Sequence, residues 1–157
     1  MTTTQPATDF ETIELQRDEN VARIMLNRPD RYNAINLQMH AELTKALATV
    51  SRDRDVRCLV IGGNGRGFCS GQDLAEFGVA KADPTFRVDD HVRSTFNKTV
   101  QTIRDLPIPV IASVNGVAAG AGFSLALCAD LRIASTNASG ATMDLFATFI
   151  SRSSSAE

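Results

Sequence analysis

The segment that decides the fold is 57-RCLVIGGNGRGFCSGQDL-74, in which a short apolar run opens into a loop of glycines, a thiol, a hydroxyl and a carboxylate. Arg57 to Ile61 has the length and character of a strand that is buried on both faces, and two glycines close it. Glycines at a strand end let the backbone turn sharply and approach a ligand closely. The segment therefore predicts a strand-to-loop corner with free backbone amides.

A second corner of the same kind follows later in the chain. Val110 to Val114 predicts a strand, and the run from Asn115 to Gly122 after it consists mostly of glycine and alanine. Phe123 to Asp130 predicts a short apolar helix, and Leu131 to Ala134 predicts another strand. Two such corners can converge on one ligand, because each leaves amide groups free.

The remaining elements alternate between strands and helices. Phe10 to Gln16 and Val21 to Leu26 alternate in polarity and predict a hairpin. Asn36 is placed as the N-cap of an amphipathic helix, and Asp89 to Leu106 carries a second helical pattern that two prolines end. This order of elements predicts an α/β fold.

Composition limits the classes of function. The chain has 157 residues, 43% of them hydrophobic, and a formal net charge of -2, so we expect one globular domain and no affinity for nucleic acid or an anionic membrane. Its three cysteines are dispersed and show no CxxC spacing, which predicts neither a disulfide framework nor a metal site. No membrane span or secretory signal is visible, so we expect a cytoplasmic location.

The first corner permits a nucleophile interpretation, because Gly67 to Gly71 spells G-x-C-x-G and mimics a nucleophile elbow. A reactive thiolate needs a nearby base, and the sequence gives no reason for His40 or His91 to approach. We therefore predict that Cys69 is a small apolar filler at a tight corner.

Two further interpretations concern the glycines of both corners. A nucleotide-binding oxidoreductase domain is disfavoured, because Gly65-x-Gly67 and Gly120-x-Gly122 both lack the third glycine of the dinucleotide fingerprint. The alternative is an oxyanion hole, in which amides from two neighbouring loops stabilise a thioester carbonyl as it becomes an enolate. This explains the small residues without requiring a side-chain nucleophile.

Five segments in order resemble the enoyl-CoA hydratase/isomerase (crotonase) family, over residues 10–139. They are Asn27-Arg28-Pro29, Asn33-Ala34-Ile35-Asn36, the run from Gly67 to Leu74, the run from Pro107 to Ala112, and the run from Asn115 to Gly122. Within the family, GFCSGQDL and NGVAAGAG most resemble the phenylacetate-pathway isomerases, which act on ring-derived acyl-CoA thioesters.

The resemblance implies a spiral of ββα units, assembled as trimers or pairs of trimers, that binds an acyl-CoA thioester and needs no cofactor beyond its CoA moiety. It implies that the backbone N–H groups of Gln72 and Ala121 form the oxyanion hole, with Gly120 and Gly122 giving clearance. The other residues that it places in the acyl-CoA pocket are Arg31, Asn33, Ala34, Ser70, Gly71, Asp73 and Leu74. Arg31 is either a partner of a CoA phosphate or a solvated surface charge.

The acid/base groups depart from the family pattern. Hydratases of the family use two glutamates, and the first would fall on Ser124, whose hydroxyl exchanges protons poorly. Counting without gaps places the second on Asp144, which is our candidate acid/base. The phenylacetate-type isomerases carry their acid farther on, where Ile150 to Ser155 contains no carboxylate.

We therefore expect a flexible N-terminus over residues 1–9, a crotonase-like core over 10–139 that is incomplete at its C-terminus, and a divergent tail over 140–157 in a truncated or frameshifted family member. Two functions stay open: an acyl-CoA hydratase or isomerase, or a non-catalytic acyl-CoA binder or assembly partner. The full-length protein would be a homo-oligomer.

Overall fold

The computed structural model describes residues 10–81, 84–85, 87, 90, 92–136 and 138. The strands among these residues are β1 Ile13–Asp18, β2 Val21–Leu26, β3 Cys58–Gly63, β4 Gly67–Cys69, β5 Val110–Val114, β6 Val117–Ala118 and β7 Leu131–Ala134. Five of them form one sheet in the order β1-β2-β3-β5-β7, and β4 and β6 form a separate pair.

The main sheet begins with the predicted hairpin and continues as a parallel sheet. β1 and β2 are antiparallel, with Ile13 opposite Leu26, whereas β2, β3, β5 and β7 are mutually parallel neighbours. Parallel neighbours need crossover connections, and helices or long loops supply them here. The carboxyl ends of β3 and β5 therefore lie at the same edge of the sheet, and both predicted corners begin there.

The described helices are α1 Leu37–Arg52, α2 Leu74–Lys81, α3 Lys98–Arg104 and α4 Ala121–Leu127, with a 3₁₀ turn at Pro29–Arg31 and a π-helical turn at Arg93–Asn97. The predicted cap of α1 is confirmed, since Asn36 Oδ1 accepts the N–H of Met39 at 2.9 Å. None of the described helices is long and apolar enough to cross a membrane.

The core combines the apolar side of α1 with side chains of the parallel strands. Alternate residues of β2 point inward, so Ile24 and Leu26 are buried, and Leu59 of β3 joins them. Leu43 and Leu47 of α1 belong to the same cluster. This packing holds β3 rigidly behind the first corner, which allows the loop after it to keep a defined shape.

Several elements differ from the sequence prediction. β1 begins at Ile13 rather than Phe10, which is only half-buried. The pair β4 and β6 and the helix α2 were not predicted, because each is too short or too mixed in polarity to show a period. The helical pattern predicted from Asp89 is described as a π turn followed by α3, and residues 89 and 91 lie outside the described residues.

Candidate functional site

The pairing of β4 with β6 brings the two predicted corners together. Gly67 lies opposite Val117 and Cys69 opposite Ala118, in parallel register. The N–H of Ala119 then donates to the carbonyl of Cys69 at 3.0 Å. Because parallel strands leave their pair at the same end, the loops over residues 70–73 and 119–121 are neighbours.

Gly71 lies where these two loops approach each other closely. A Cβ atom built on Gly71 would lie 3.0 Å from the carbonyl oxygen of Ala119 and 3.4 Å from the backbone nitrogen of Ala121. The φ angle of Gly71 is +106°, a conformation that residues with a side chain rarely adopt. Glycine is therefore required here by both the backbone conformation and the available space.

The backbone around Gln72 is held by a one-residue parallel bridge to Ile35. Ile35 N–H donates to the carbonyl of Gly71 at 2.7 Å, and the N–H of Asp73 donates to the carbonyl of Ile35 at 2.9 Å. A parallel bridge of this kind uses the groups that flank Gln72 and directs its own N–H to the opposite side. Within the described residues, neither the N–H of Gln72 nor that of Ala121 meets an acceptor.

Asp73 ends this loop and begins α2. Its Oδ1 accepts the N–H groups of Ala75 at 3.1 Å and Glu76 at 3.4 Å, and its Oδ2 lies 2.9 Å from Nη1 of Arg28. Burial raises the pKa of the Asp73 carboxyl, but the hydrogen bonds from Arg28, Glu76 and Ala75 and the Arg28 charge outweigh burial and hold it below its usual value. Asp73 is therefore a carboxylate at neutral pH.

Asn33 anchors the turn that faces this loop. Its side chain is fully buried, and Oδ1 accepts the N–H of Arg28 at 2.8 Å. Its Nδ2 donates to the carbonyls of Asn64 at 3.0 Å and Gly67 at 2.8 Å. The Asn33 side chain is thus committed to the fold, and its predicted place in the pocket depends on its backbone. The carbonyl of its neighbour Ala34 accepts a hydrogen bond from Arg28 at 2.7 Å.

Arg31, Ser70 and Leu74 share exposure to solvent next to the loop. The side chain of Arg31 is 65% exposed, and its Nε lies 3.7 Å from Asp30. Ser70 donates its hydroxyl to the carbonyl of Arg31 at 3.3 Å, and Leu74 is 78% exposed. These three side chains are accessible to a ligand, although an exposed leucine alone indicates no site.

Gly120 and Gly122 lack side chains for different reasons. Gly120 has φ of +50° and nothing within 4 Å of a built Cβ, so it faces open space. A Cβ on Gly122 would lie 2.1 Å from the carbonyl oxygen of Cys69. From the sequence, both glycines are expected to leave space for a ligand. In the structure, Gly122 lacks a side chain because α4 packs closely against β4 at this position.

The thiol of Cys69 is unsuited to nucleophilic chemistry. The residue is fully buried, and burial raises the pKa of its thiol to about 12, although a hydrogen bond from the Gly71 N–H lowers it. His40 is also buried, with Nδ1 3.3 Å from the hydroxyl of Thr99, and His91 lies outside the described residues. The prediction of an apolar filler at this corner agrees with these observations.

Of the acid/base positions considered in the sequence, Ser124 alone lies within the described residues. Ser124 is an exposed residue of α4 whose hydroxyl donates to the carbonyl of Gly120 at 3.4 Å. Asp144 lies outside the described residues, as does the segment from Ile150 to Ser155. Within the described part of the chain, no group of three or more His, Cys, Asp or Glu side chains is arranged to hold a metal ion.

Two neighbours of the site were missed by sequence reasoning. Arg28 belongs to the segment Asn27-Arg28-Pro29, but its partner Asp73 lies 45 positions away in the sequence. No local pattern predicts a pair so far apart. The guanidinium of Arg66 lies over the ring of Tyr32, with its central carbon 5.7 Å from the ring centroid. Such a cation–π contact also depends on the folded turn, because Tyr32 adopts a left-handed conformation there.

Comparison with known proteins places the chain in a defined group. A family model described as enoyl-CoA hydratase/isomerase matches residues 16–149. The 1,2-epoxyphenylacetyl-CoA isomerase of Escherichia coli (strain K12) is 46% identical over 121 residues, which are 77% of this chain and 46% of that relative. The family match runs past residue 139, so the predicted boundary of the tail stays a prediction.

Solved structures agree with this result. An enoyl-CoA hydratase/isomerase from Marinobacter aquaeolei is 32% identical to this chain, with a TM-score of 0.74. The match covers 81% of this chain and 50% of the Marinobacter chain. An enoyl-CoA hydratase from Bacillus anthracis is 31% identical, with a TM-score of 0.73. The match covers 82% of this chain and 49% of the Bacillus chain. The predicted fold is confirmed, and the chain spans about half the length of the relatives that it matches.

Proposed function

This chain belongs to the enoyl-CoA hydratase/isomerase family, and from that premise we propose that it binds an acyl-CoA thioester where its two glycine corners meet. The thioester carbonyl accepts hydrogen bonds from the backbone N–H groups of Gln72 and Ala121. The observation that carries the proposal is the contact at Gly71, where a Cβ would lie 3.4 Å from the Ala121 nitrogen. Both N–H groups lack an acceptor within the described residues.

The proposed role of the two amides is to stabilise an enolate. When a proton leaves the carbon next to the thioester, negative charge moves to the carbonyl oxygen, and donors aimed at that oxygen strengthen as the charge grows. One donor of this kind contributes about 3 kcal/mol of transition-state stabilisation. The step also needs a proton acceptor, and Asp144 remains our candidate for it.

The substrate class is proposed from the most informative relative. The Escherichia coli protein is named for an epoxide of phenylacetyl-CoA, and it is 46% identical to this chain over the matched residues. The segments GFCSGQDL and NGVAAGAG, which form the two glycine corners, are those that most resemble the phenylacetate-pathway isomerases. We therefore propose an acyl-CoA whose acyl group derives from a ring, with isomerisation as the reaction.

A second candidate is binding without turnover, and Ser124 favours it. The position where hydratases carry their first glutamate holds a hydroxyl, which does not serve as an acid or base near neutral pH without a partner. A chain of this kind retains the amides for the thioester and acts as an acyl-CoA binder or assembly partner. The nucleotide-binding oxidoreductase alternative is set aside, because the matching family model and the Escherichia coli relative are both named for acyl-CoA chemistry.

Assembly and location belong to the same proposal. Within the described residues β7 is an edge strand of the main sheet, on which Leu131 and Ile133 are 59% and 63% exposed, and Leu127 nearby is 41% exposed. Exposed apolar residues on an edge strand support association, in keeping with the proposed trimer or hexamer of the full-length protein. Three free cysteines support a reducing, cytoplasmic location.

The experiment is a calorimetric titration with phenylacetyl-CoA and crotonyl-CoA, followed by assays for hydration and double-bond migration. Gln72→Ala keeps the backbone N–H and is expected to bind like the unmodified chain. Gln72→Pro removes the donor without touching the Ile35 bridge, so we expect about a 100-fold loss of any turnover. Binding without turnover selects the second candidate, and no binding by a folded sample overturns both.

A further inference from the structure

We infer that Arg28 is a positioning residue for the Gln72 amide, acting through Asp73 and the carbonyl of Ala34. This inference rests on the proposed function, because it concerns how one donor of the proposed oxyanion hole is aimed. Arg28 does not contact the reacting atoms. It holds together the two chain segments that determine the direction of the Gln72 peptide.

The bridge to Ile35 by itself holds Gln72 weakly. Ile35 and Gln72 form an isolated bridge with two backbone hydrogen bonds, at 2.7 and 2.9 Å, outside any strand. Two backbone hydrogen bonds contribute little compared with the ladder that holds a strand in a sheet. A bridge of this size needs further contacts to fix a peptide within the tolerance that an oxyanion hole requires.

One guanidinium group reaches both segments of the bridge. Arg28 Nη1 donates to the carbonyl of Ala34 at 2.7 Å and to Oδ2 of Asp73 at 2.9 Å. Ala34 directly precedes Ile35, and Asp73 directly follows Gln72. The same nitrogen therefore binds both segments of the bridge, at the residue before Ile35 in one and at the residue after Gln72 in the other.

Backbone hydrogen bonds of the turn hold Arg28 itself in place. Its backbone N–H donates to the buried side chain of Asn33 at 2.8 Å, and its carbonyl accepts the N–H groups of Arg31 and Asn33, both at 2.9 Å. The preorganised turn directs the Arg28 side chain toward the loop. The side chains of Arg28 and Asp73 are 20% and 15% exposed, so solvent screens their attraction only in part.

The Asp73 carboxylate is held from two sides, by the first turn of α2 through Oδ1 and by Arg28 through Oδ2. Removal of Arg28 releases the carboxylate from the turn but leaves both hydrogen bonds of the Ile35 bridge in place. Because the Gln72 N–H shares a planar peptide with the Gly71 carbonyl, the bridge still holds one end of that peptide. The chain on the Asp73 side of Gln72 loses its side-chain anchor, so the direction of the N–H becomes less closely defined.

A purely structural Arg28 would lower stability without changing how the carbonyl is polarised, so the test needs a spectroscopic signal. The CoA thioester of 4-dimethylaminocinnamic acid absorbs at longer wavelength when hydrogen bonds polarise its carbonyl, because the amino group donates electrons toward it. Its red shift on binding reports the amides, and calorimetry with the same probe reports the affinity.

For Arg28→Met, which keeps a long side chain but removes every donor, we expect loss of at least half of the red shift, with Kd within about threefold of the parent. Any turnover should fall about tenfold through kcat rather than KM, as expected for a misplaced group. Arg28→Lys keeps the charge but not the guanidinium geometry, so an intermediate red shift is expected.

Asp73→Asn and Arg23→Met complete the set. Asp73→Asn should reduce the red shift less than Arg28→Met, because Arg28 keeps its hydrogen bond to the Ala34 carbonyl, and the double variant should be no worse than Arg28→Met, because both changes affect the Arg28–Asp73 contact. Arg23 pairs with Asp18 at an exposed position, so Arg23→Met is the matched control and should keep the full shift.

The outcomes separate the two proposals. If the parent chain fails to bind the probe, or binds it without a red shift, the proposed function fails. If the parent shows the shift and Arg28→Met keeps all of it, the inference about Arg28 is overturned. Where Arg28→Met does not fold, Asp73→Asn decides, with the probe fully bound at saturating protein: a full red shift in that variant also overturns the inference, and a reduced shift supports it.

Discussion

The two loops that meet at the proposed site are held in different ways. The loop over residues 70–73 depends on side chains that come from elsewhere, since Arg28 pairs with Asp73 and buried Asn33 anchors the facing turn. The loop over residues 119–122 depends on bare backbone, since a Cβ on Gly122 would lie 2.1 Å from the carbonyl of Cys69. A substitution can weaken a polar contact by degrees. A methyl group placed between two closely packed main chains instead forces the chains apart.

This difference predicts two kinds of response to mutation. Changes that affect Gly122 should act on folding, because the helix α4 cannot move away from β4 without opening the core beneath it. Changes that affect Arg28 or Asp73 should act mainly on the direction of one peptide. The four predictions below test this division, beginning with the largest expected effect.

Gly122→Ala should have the largest effect, with a loss of about 3 kcal/mol in the free energy of unfolding or a failure to fold. The added methyl group would meet the carbonyl of Cys69, which is backbone and has no rotamer with which to yield. Urea denaturation followed by circular dichroism measures the loss.

The matched control is Gly78→Ala in α2, where nothing lies within 4 Å of a built Cβ. This change should raise stability by about 0.5 to 1 kcal/mol, because alanine favours a helix over glycine. A Gly122→Ala protein with the urea midpoint of the parent would contradict the steric account of the second loop.

Gly71→Ala should cost about 2 kcal/mol of stability, because φ of +106° strains any residue with a side chain. The methyl group would also press on the Ala119 carbonyl and the Ala121 nitrogen, so acyl-CoA binding should be lost in the remaining folded protein. Gly120→Ala shares the strain at φ of +50° but meets open space. If both variants bind a thioester equally well, the approach of the two loops at Gly71 is not part of the site.

Asp73→Asn should lower the free energy of unfolding by about 1 to 2 kcal/mol at neutral pH, through the lost charge on its hydrogen bonds. Since the folded-state pKa of Asp73 is depressed, its stabilising contribution is present above the ordinary value of 3.8 and is lost as the pH falls through the folded-state pKa. The difference in stability between parent and variant should therefore shrink toward low pH.

Urea denaturation between pH 7 and pH 3 measures this difference. The pH dependence of the parent alone would not isolate Asp73, because the pKa of Glu42 is also lowered. Burial raises the pKa of Glu42, but hydrogen bonds from Thr12, Glu11 and Gln38 outweigh burial. Glu42 is unchanged in both proteins, so the difference isolates Asp73. A difference that stays constant with pH would show that the Arg28 pair adds nothing to stability.

Arg31→Ala should have the smallest effect. The side chain is 65% exposed, so a contact with a CoA phosphate is screened, and we expect Kd to rise about twofold to threefold at low salt with no change in stability. Calorimetric titration at low and high salt measures the effect, with Arg23→Ala as the control. An unchanged Kd at low salt would leave Arg31 as a solvated surface charge.

Sequence patterns identify the elements whose causes are local. The Asn36 cap, the strand Val110–Val114 and the strand Leu131–Ala134 are found where the patterns predict them. Each depends on residues within a few positions of one another, through capping or alternation of polarity. The family resemblance also arises from such short segments, and the family match confirms it.

The tertiary structure decides which corners meet and what holds them. The pairing of β4 with β6, the contact at Gly71 and the reach of Arg28 to Asp73 all join residues that are 45 or more positions apart. A sequence shows the small residues at both corners, but not which backbone each must approach. Gly122 illustrates the limit: its lack of a side chain is visible in the chain, whereas the Cys69 carbonyl that requires it is brought there only by folding.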